Sequence, residues 1–137
     1  MINKDEVAYL LLRLTLGVNI FLHGFSRLIG DHAAFTAYID KQMHNAPVPG
    51  FLVHFVGVVL PWCEATVGLL MILGLWTSVA LIAGSLLMLM LQIGICLAQN
   101  WDVAGVQLIY VLLYFILLTY GERNRWSVDR WWQTLRR

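Results

Sequence analysis

Residues 51–75 read FLVHFVGVVLPWCEATVGLLMILGL, an almost uninterrupted apolar run. Its 25 residues include a single charged side chain, Glu64. A helix rises 1.5 Å per residue, so the stretch is about 37 Å long and exceeds the ~30 Å hydrocarbon thickness of a bilayer. A single run in lipid satisfies its own backbone groups only as a helix, and the sequence therefore predicts a membrane-spanning helix here.

Three further apolar runs of similar length surround this one, at 7–29, 77–98 and 103–120. Hydrophobic residues make up 60% and charged residues 12% of the 137-residue chain, which excludes a water-soluble globule. The connections are short apart from the loop 30–50, so consecutive spans are expected to be antiparallel neighbours. The predicted fold class is all-α: an integral membrane four-helix up-down bundle that forms a single domain over residues 1–137.

Charge at the two ends of the spans predicts the orientation. Five arginines follow the last span, whereas the loop 30–50 carries only one basic residue, Lys41. The positive-inside rule therefore places both termini in the cytoplasm of a bacterial or archaeal cell, in a multi-pass protein of the plasma (inner) membrane. All four histidines then lie towards the outer side: His23, His32, His44 and His54.

Two shorter segments have helical amphipathic patterns. The tail 127–137 begins with a candidate N-cap, Ser127, and its apolar residues fall on one face opposite arginines, which predicts an interfacial helix. A second helix is predicted from Ala33 to Met43 after an Asp31 cap, with Phe35, Tyr38 and Ile39 at the outer membrane surface.

Several polar side chains occur inside the predicted spans, where an isolated charge costs at least ~2.5 kcal/mol. Arg13, Asn19, His23 and Arg27 share one face of the first span. Glu64 lies near the middle of the second span and is the strongest single candidate for a functional residue. We expect Arg27 to extend to the outer interface. Arg13 either extends to the opposite interface or pairs with Glu64, and such a pair could simply lock the two helices together.

The third and fourth spans carry milder polar stripes that include Gln92, Gln107 and Tyr114. Such residues commonly serve as interhelical contacts in membranes. Together with His23 and Glu64, however, they supply the donors and acceptors that a quinone head group needs in an apolar slot. Haem ligation by His23 and His54 is disfavoured by their different depths, and no spacing matches a metal site.

Ordered motifs over nearly the whole chain resemble the DoxX family of small four-span membrane proteins. The matching positions are Arg13, Gly17, Phe21, His23-Gly24 and Arg27-Leu28, then Pro61, Glu64, Gly68 and GLWT at 74–77, and finally Gly121 and RWSVD at 125–129. The resemblance implies a membrane subunit beside redox enzymes, such as a thiosulfate:quinone oxidoreductase. It carries over His23 and Glu64 as functional residues and Arg13 as their partner.

Two hypotheses from different classes remain. The first is a subunit of a quinone-linked redox complex in which other subunits supply the electrons. Glu64 and His23 are then the catalytic residues. The quinone is bound by four further residues: Arg13, Gln92, Gln107 and Tyr114. The chain would then be at most a subunit of a quinone-dependent oxidoreductase. The second is a non-catalytic anchor subunit of a respiratory or dehydrogenase complex. Transport of a small solute also stays open. In each case the partners are the lipid bilayer and other protein subunits, since a net charge of +1 favours no nucleic acid.

Overall fold

A computed structural model describes residues 3–135, and within them all regular structure is helical. Four helices are long and apolar enough to cross a membrane. They are α1 (Lys4–Ile29), α3 (Gly50–Leu73), α4 (Thr77–Leu97) and α5 (Trp101–Thr119), joined by the shorter helices α2 (His32–Gln42) and α6 (Val128–Leu135). The predicted all-α bundle of four spans is confirmed.

Local capping explains where these helices begin and end. The Asn3 side chain accepts from the backbone N–H of Asp5 at 3.0 Å, so α1 starts before the first apolar residue of its span. Gly74 adopts the left-handed conformation with φ 65° and terminates α3 two residues earlier than the apolar pattern indicates. The Asp31 carboxylate accepts from Ala34 N–H at 2.9 Å, and the predicted α2 is confirmed.

The bundle is built from two antiparallel helix pairs, α1 with α3 and α4 with α5. Glycines let α1 and α3 approach closely: a Cβ on Gly24 would overlap the backbone of Pro61 and Ala65, and a Cβ on Gly68 would overlap the backbone of Phe21. In the second pair the ring of Tyr114 packs directly on Gly84. We call the two ends of the bundle the termini end and the α2 end.

The buried core fills the half of the bundle nearer the termini end. It is formed by Tyr9, Leu16, Ile20, Val67, Met71, Ala80, Leu81, Met88, Tyr114 and Leu117. Large apolar side chains elsewhere point outwards; Phe55 is 60% exposed and Leu112 is 56% exposed. An apolar outer surface around a small core is the arrangement that a lipid environment stabilises, and the protein is a multi-pass membrane protein.

The C-terminal segment packs on the termini end of the bundle, where one of its side chains caps the N-terminus of α4. The Asp129 carboxylate accepts from the backbone N–H groups of Trp76 and Thr77, both at 2.7 Å, and holds Trp76 in the left-handed region at the start of α4. The side chains of Trp131 and Leu135 on α6 are 65% and 64% exposed, as an interfacial helix requires. The last two positions of the predicted tail, 136 and 137, lie outside the described residues.

Two ion pairs tie the start of α1 to the turn before α6. Arg123 donates to Asp5, and this hydrogen bond raises the pKa of the Arg123 guanidinium. Arg125 lies 3.6 Å from Glu6. Both pairs are partly exposed and therefore contribute little to stability, but they hold the start of α1 beside the segment that precedes α6.

Candidate functional site

A cavity of about 600 Å³ lies between the two helix pairs at the α2 end. Helix α2 and residues 43–48 roof it, and its walls are mainly apolar, with Ile20, Val53, Leu60, Met88 and Val106 among them. A small number of polar side chains also face it: His23, Arg27, Gln42, Glu64, Gln107 and Tyr110. A largely apolar cavity with a few converging polar groups is the usual form of a small-molecule site.

Arg27 and Glu64 form an ion pair beside this cavity. Nη1 of Arg27 donates to Oε2 of Glu64 at 2.5 Å, and the side chains are 28% and 6% exposed. Each Cα–Cβ bond tilts towards the N-terminus of its own helix, and α1 and α3 are antiparallel, so the two side chains tilt towards each other. The expectation that Arg27 extends outwards to the interface is therefore wrong.

Arg13 lies at the opposite end of the bundle and does not pair with Glu64. Its side chain tilts towards the termini end while that of Glu64 tilts towards the α2 end, so they diverge. Nη2 of Arg13 instead donates to the backbone oxygen of Trp126 at 2.8 Å, and the residue is 1% exposed. The predicted pair of Arg13 with Glu64 is therefore wrong, and the alternative, extension towards the termini end, is right in direction although the guanidinium is buried there.

Gln107 and Tyr110 are one helical turn apart on α5 and line the cavity opposite Glu64 and His23. The Tyr110 hydroxyl donates to Oδ1 of Asn19 at 3.2 Å. The buried Oε1 of Gln107 has no hydrogen-bond partner among residues 3–135. A buried acceptor without a partner costs ~1–3 kcal/mol, so a donor from a ligand or water would stabilise this position.

Gln92 and Tyr114 are not among the residues that line the cavity. Gln92 contacts Cys96 on its own helix at 3.6 Å, and Tyr114 is 1% exposed in the core. Of the six predicted site residues, the structure thus brings His23, Glu64 and Gln107 to one cavity, whereas Arg13, Gln92 and Tyr114 do not line it. The sequence interpretation also omitted Arg27 and Tyr110, although Arg27 lies on the polar face of α1 and Tyr110 is three residues after Gln107.

The histidines do not form a common ligand set. His23 faces the cavity, whereas His54 contacts the Asp40 carboxylate at 2.9 Å on the outside of α2 and α3. Nε2 of His32 lies 3.1 Å from the backbone oxygen of Val58. Within the described part of the chain, groups of three or more His, Cys, Asp or Glu side chains suited to a metal ion are absent.

Fold and site together define a four-span membrane protein with a polar cavity at one end of its bundle. The sequence model of the family described as methylamine utilisation protein MauE matches residues 5–106, which include His23, Arg27 and Glu64. The chain belongs to this MauE family. No curated protein and no solved structure matches it.

This family match corrects the predicted resemblance to DoxX proteins and to the thiosulfate:quinone oxidoreductase. The residues that carried the resemblance have structural roles that any tightly packed helical bundle can require. Gly24 and Gly68 permit close helix approach, Gly74 ends α3, and Asp129 caps α4. Short motifs of this kind report helix packing and capping, and here they did not identify the family.

Proposed function

We propose that this chain is a membrane subunit of a redox system and that its cavity holds the head group of a quinone. The observation that carries the proposal is the position of the Arg27–Glu64 pair, His23 and Gln107 on one cavity of about 600 Å³ with otherwise apolar walls. A quinone head group is a small ring with two acceptor oxygens on an apolar body, and such a cavity matches its size and polarity.

The family name supports the redox part of the proposal. Members are described by a role in methylamine utilisation. Use of methylamine as an energy source requires oxidation of its carbon, and the released electrons must reach an acceptor. In our proposal other subunits oxidise the substrate and pass the electrons directly to a quinone from the membrane while this subunit holds its head group.

The polar residues fit both oxidation states of such a ligand. When bound, a quinone supplies an acceptor for two electrons and two protons. Arg27 and His23 can donate hydrogen bonds to its carbonyl oxygens, and the Arg27 charge favours any negative charge that develops there. Glu64 and His23 can hold and transfer protons, while the unpartnered Oε1 of Gln107 can accept from a hydroxyl of the reduced ring.

We further propose that both termini face the cytoplasm of a bacterial or archaeal cell and that the cavity lies towards the outer side of the inner membrane. The support is the excess of arginine at the termini end, where Arg123, Arg125 and Arg130 lie among the described residues. Partner subunits then approach the cavity from the outer side, over α2.

Native purification in mild detergent tests the proposed function. We expect mass spectrometry of lipid extracts to detect quinone with the wild-type protein and about tenfold less with Glu64→Gln, because the variant removes the carboxylate beside the cavity. The control is Glu122→Gln, the same chemical change at an exposed carboxylate away from the cavity, which is expected to retain quinone. Equal quinone in all three samples, or none in the wild-type sample, would contradict the proposal.

The second candidate function is a non-catalytic anchor for a larger complex. It is favoured by α6, whose exposed Trp131 and Leu135 bind a membrane surface without any need for a cavity. The same purification separates the two candidates. A stoichiometric partner protein with no quinone in any sample would support the anchor and make Glu64 a structural residue.

A further inference from the structure

Helix α2 is attached to α3 along its whole length. At its start His32 contacts the backbone oxygen of Val58, and near its end Asp40 contacts His54. Between these points Thr36 is 4% exposed and packs against Gly57, where a Cβ would lie 3.1 Å from the Thr36 methyl group. These contacts fix the rotation of α2, so the residue beside Thr36 has a defined position over the cavity.

That residue is Phe35, and its ring covers the Arg27 guanidinium. The central carbon of the guanidinium lies 4.3 Å from the ring centroid, which is within the range of a cation–π contact. Arg27 therefore contacts both the Phe35 ring and the Glu64 carboxylate. Its side chain retains 28% exposure, and Arg27 is in the last turn of α1, so without the ring the guanidinium could turn outwards to water.

We propose that Phe35 is a positioning residue that holds Arg27 on Glu64 and so keeps the Glu64 carboxylate charged in an apolar cavity. Helix α2, which does not span the membrane, is then a necessary part of the site. A carboxylate that loses its guanidinium partner in such surroundings takes up a proton. Use of the charged pair by a ligand rests on the proposed function, but the positioning of Arg27 by Phe35 does not.

Carbodiimide labelling tests the positioning without any quinone. Dicyclohexylcarbodiimide is apolar and reacts with protonated carboxyl groups: the acid proton passes to a carbodiimide nitrogen and the carboxylate oxygen adds to its central carbon. The adduct at Glu64 is quantified by peptide mass spectrometry on the full-length protein in detergent, and Glu64→Gln identifies the site. We expect Phe35→Met, which keeps an apolar side chain but removes the ring, to increase the labelling rate about threefold to tenfold.

Three further variants show whether the effect passes through Arg27. Phe35→Tyr keeps the aromatic face and should label as slowly as wild type. Tyr38→Leu changes another α2 residue on the cavity and should also leave the rate unchanged. Arg27→Gln should label fastest, and adding Phe35→Met to it should have no further effect.

The proposal would be overturned by a wild-type labelling rate in Phe35→Met. It would equally be overturned if Phe35→Met increased the rate by the same factor with and without Arg27, since this outcome indicates a general loosening of the fold. If Phe35→Met does not elute as a single species in size-exclusion chromatography, the labelling rates of Phe35→Leu and Phe35→Tyr are compared instead. If Phe35→Leu labels fast and Phe35→Tyr labels as slowly as wild type while no quinone is found in the purified protein, the role of Phe35 is supported and only the proposed quinone site is rejected.

Discussion

Gly24→Ala is expected to destabilise the protein by about 2–3 kcal/mol, although alanine is the better helix former. The added Cβ would overlap two backbone atoms, N of Ala65 and O of Pro61, and backbone cannot rotate away as a flexible side chain can. The α1–α3 pair must therefore separate at the level of Glu64. We expect a melting temperature in detergent about 10 °C lower and weaker quinone retention in the same variant.

Gly105→Ala is the matched control for this prediction. Gly105 lies inside α5, and a Cβ there meets no atom within 4 Å. The same substitution at this position should raise stability by about 0.5–1 kcal/mol, because alanine loses less conformational freedom than glycine in a helix. The two variants are thus expected to shift the melting temperature in opposite directions. A similar response of both would show that close approach of α1 and α3 does not hold the bundle together.

Removal of Arg27 alone is expected to have the second large effect. Arg27→Met leaves the 6% exposed Glu64 without its partner and should cost about 3 kcal/mol, near the lower end of the range for broken buried pairs because Arg27 is itself partly exposed. Glu64→Met should cost a comparable amount. The double variant replaces both charges by apolar side chains and should cost less than either single variant, giving a coupling energy above ~3 kcal/mol.

The pair Arg125–Glu6 is the control for this cycle. Its side chains are 3.6 Å apart and are 52% and 24% exposed, at the termini end of the bundle. A double-mutant cycle there should give a coupling energy of about 0–1 kcal/mol. Both cycles are measured from thermal unfolding of the purified protein in one detergent. Equal coupling in the two cycles would contradict the assignment of Arg27–Glu64 as a buried pair.

The length of the apolar runs and the Asp31 cap were sufficient to predict the helices, since these features act locally, but the end of α3 at Gly74 was placed two residues too late. The polar residues of the site were only partly predictable. His23, Glu64 and Gln107 line one cavity, but helix rise alone suggested that Arg13 could reach Glu64. The direction of the Cα–Cβ bonds in antiparallel helices selects Arg27 instead.

Other features of the site depend on contacts that a sequence does not display. The acceptor for Arg13 is a backbone oxygen, that of Trp126, and every residue type carries one. Phe35 was expected at the outer membrane surface, whereas the packing of Thr36 on Gly57 brings its ring over Arg27. Tertiary contacts between segments distant in sequence determine both positions.

Photo-cross-linking with an azido-quinone locates the proposed quinone head group relative to the helices. We expect cross-links on the cavity-lining residues Leu60 and Glu64 of α3 and Gln107 and Tyr110 of α5, competed by unlabelled quinone and lost in Glu64→Gln. Cross-links confined to outward-facing residues such as Leu108 and Leu112, and unchanged in Glu64→Gln, would contradict the proposed site.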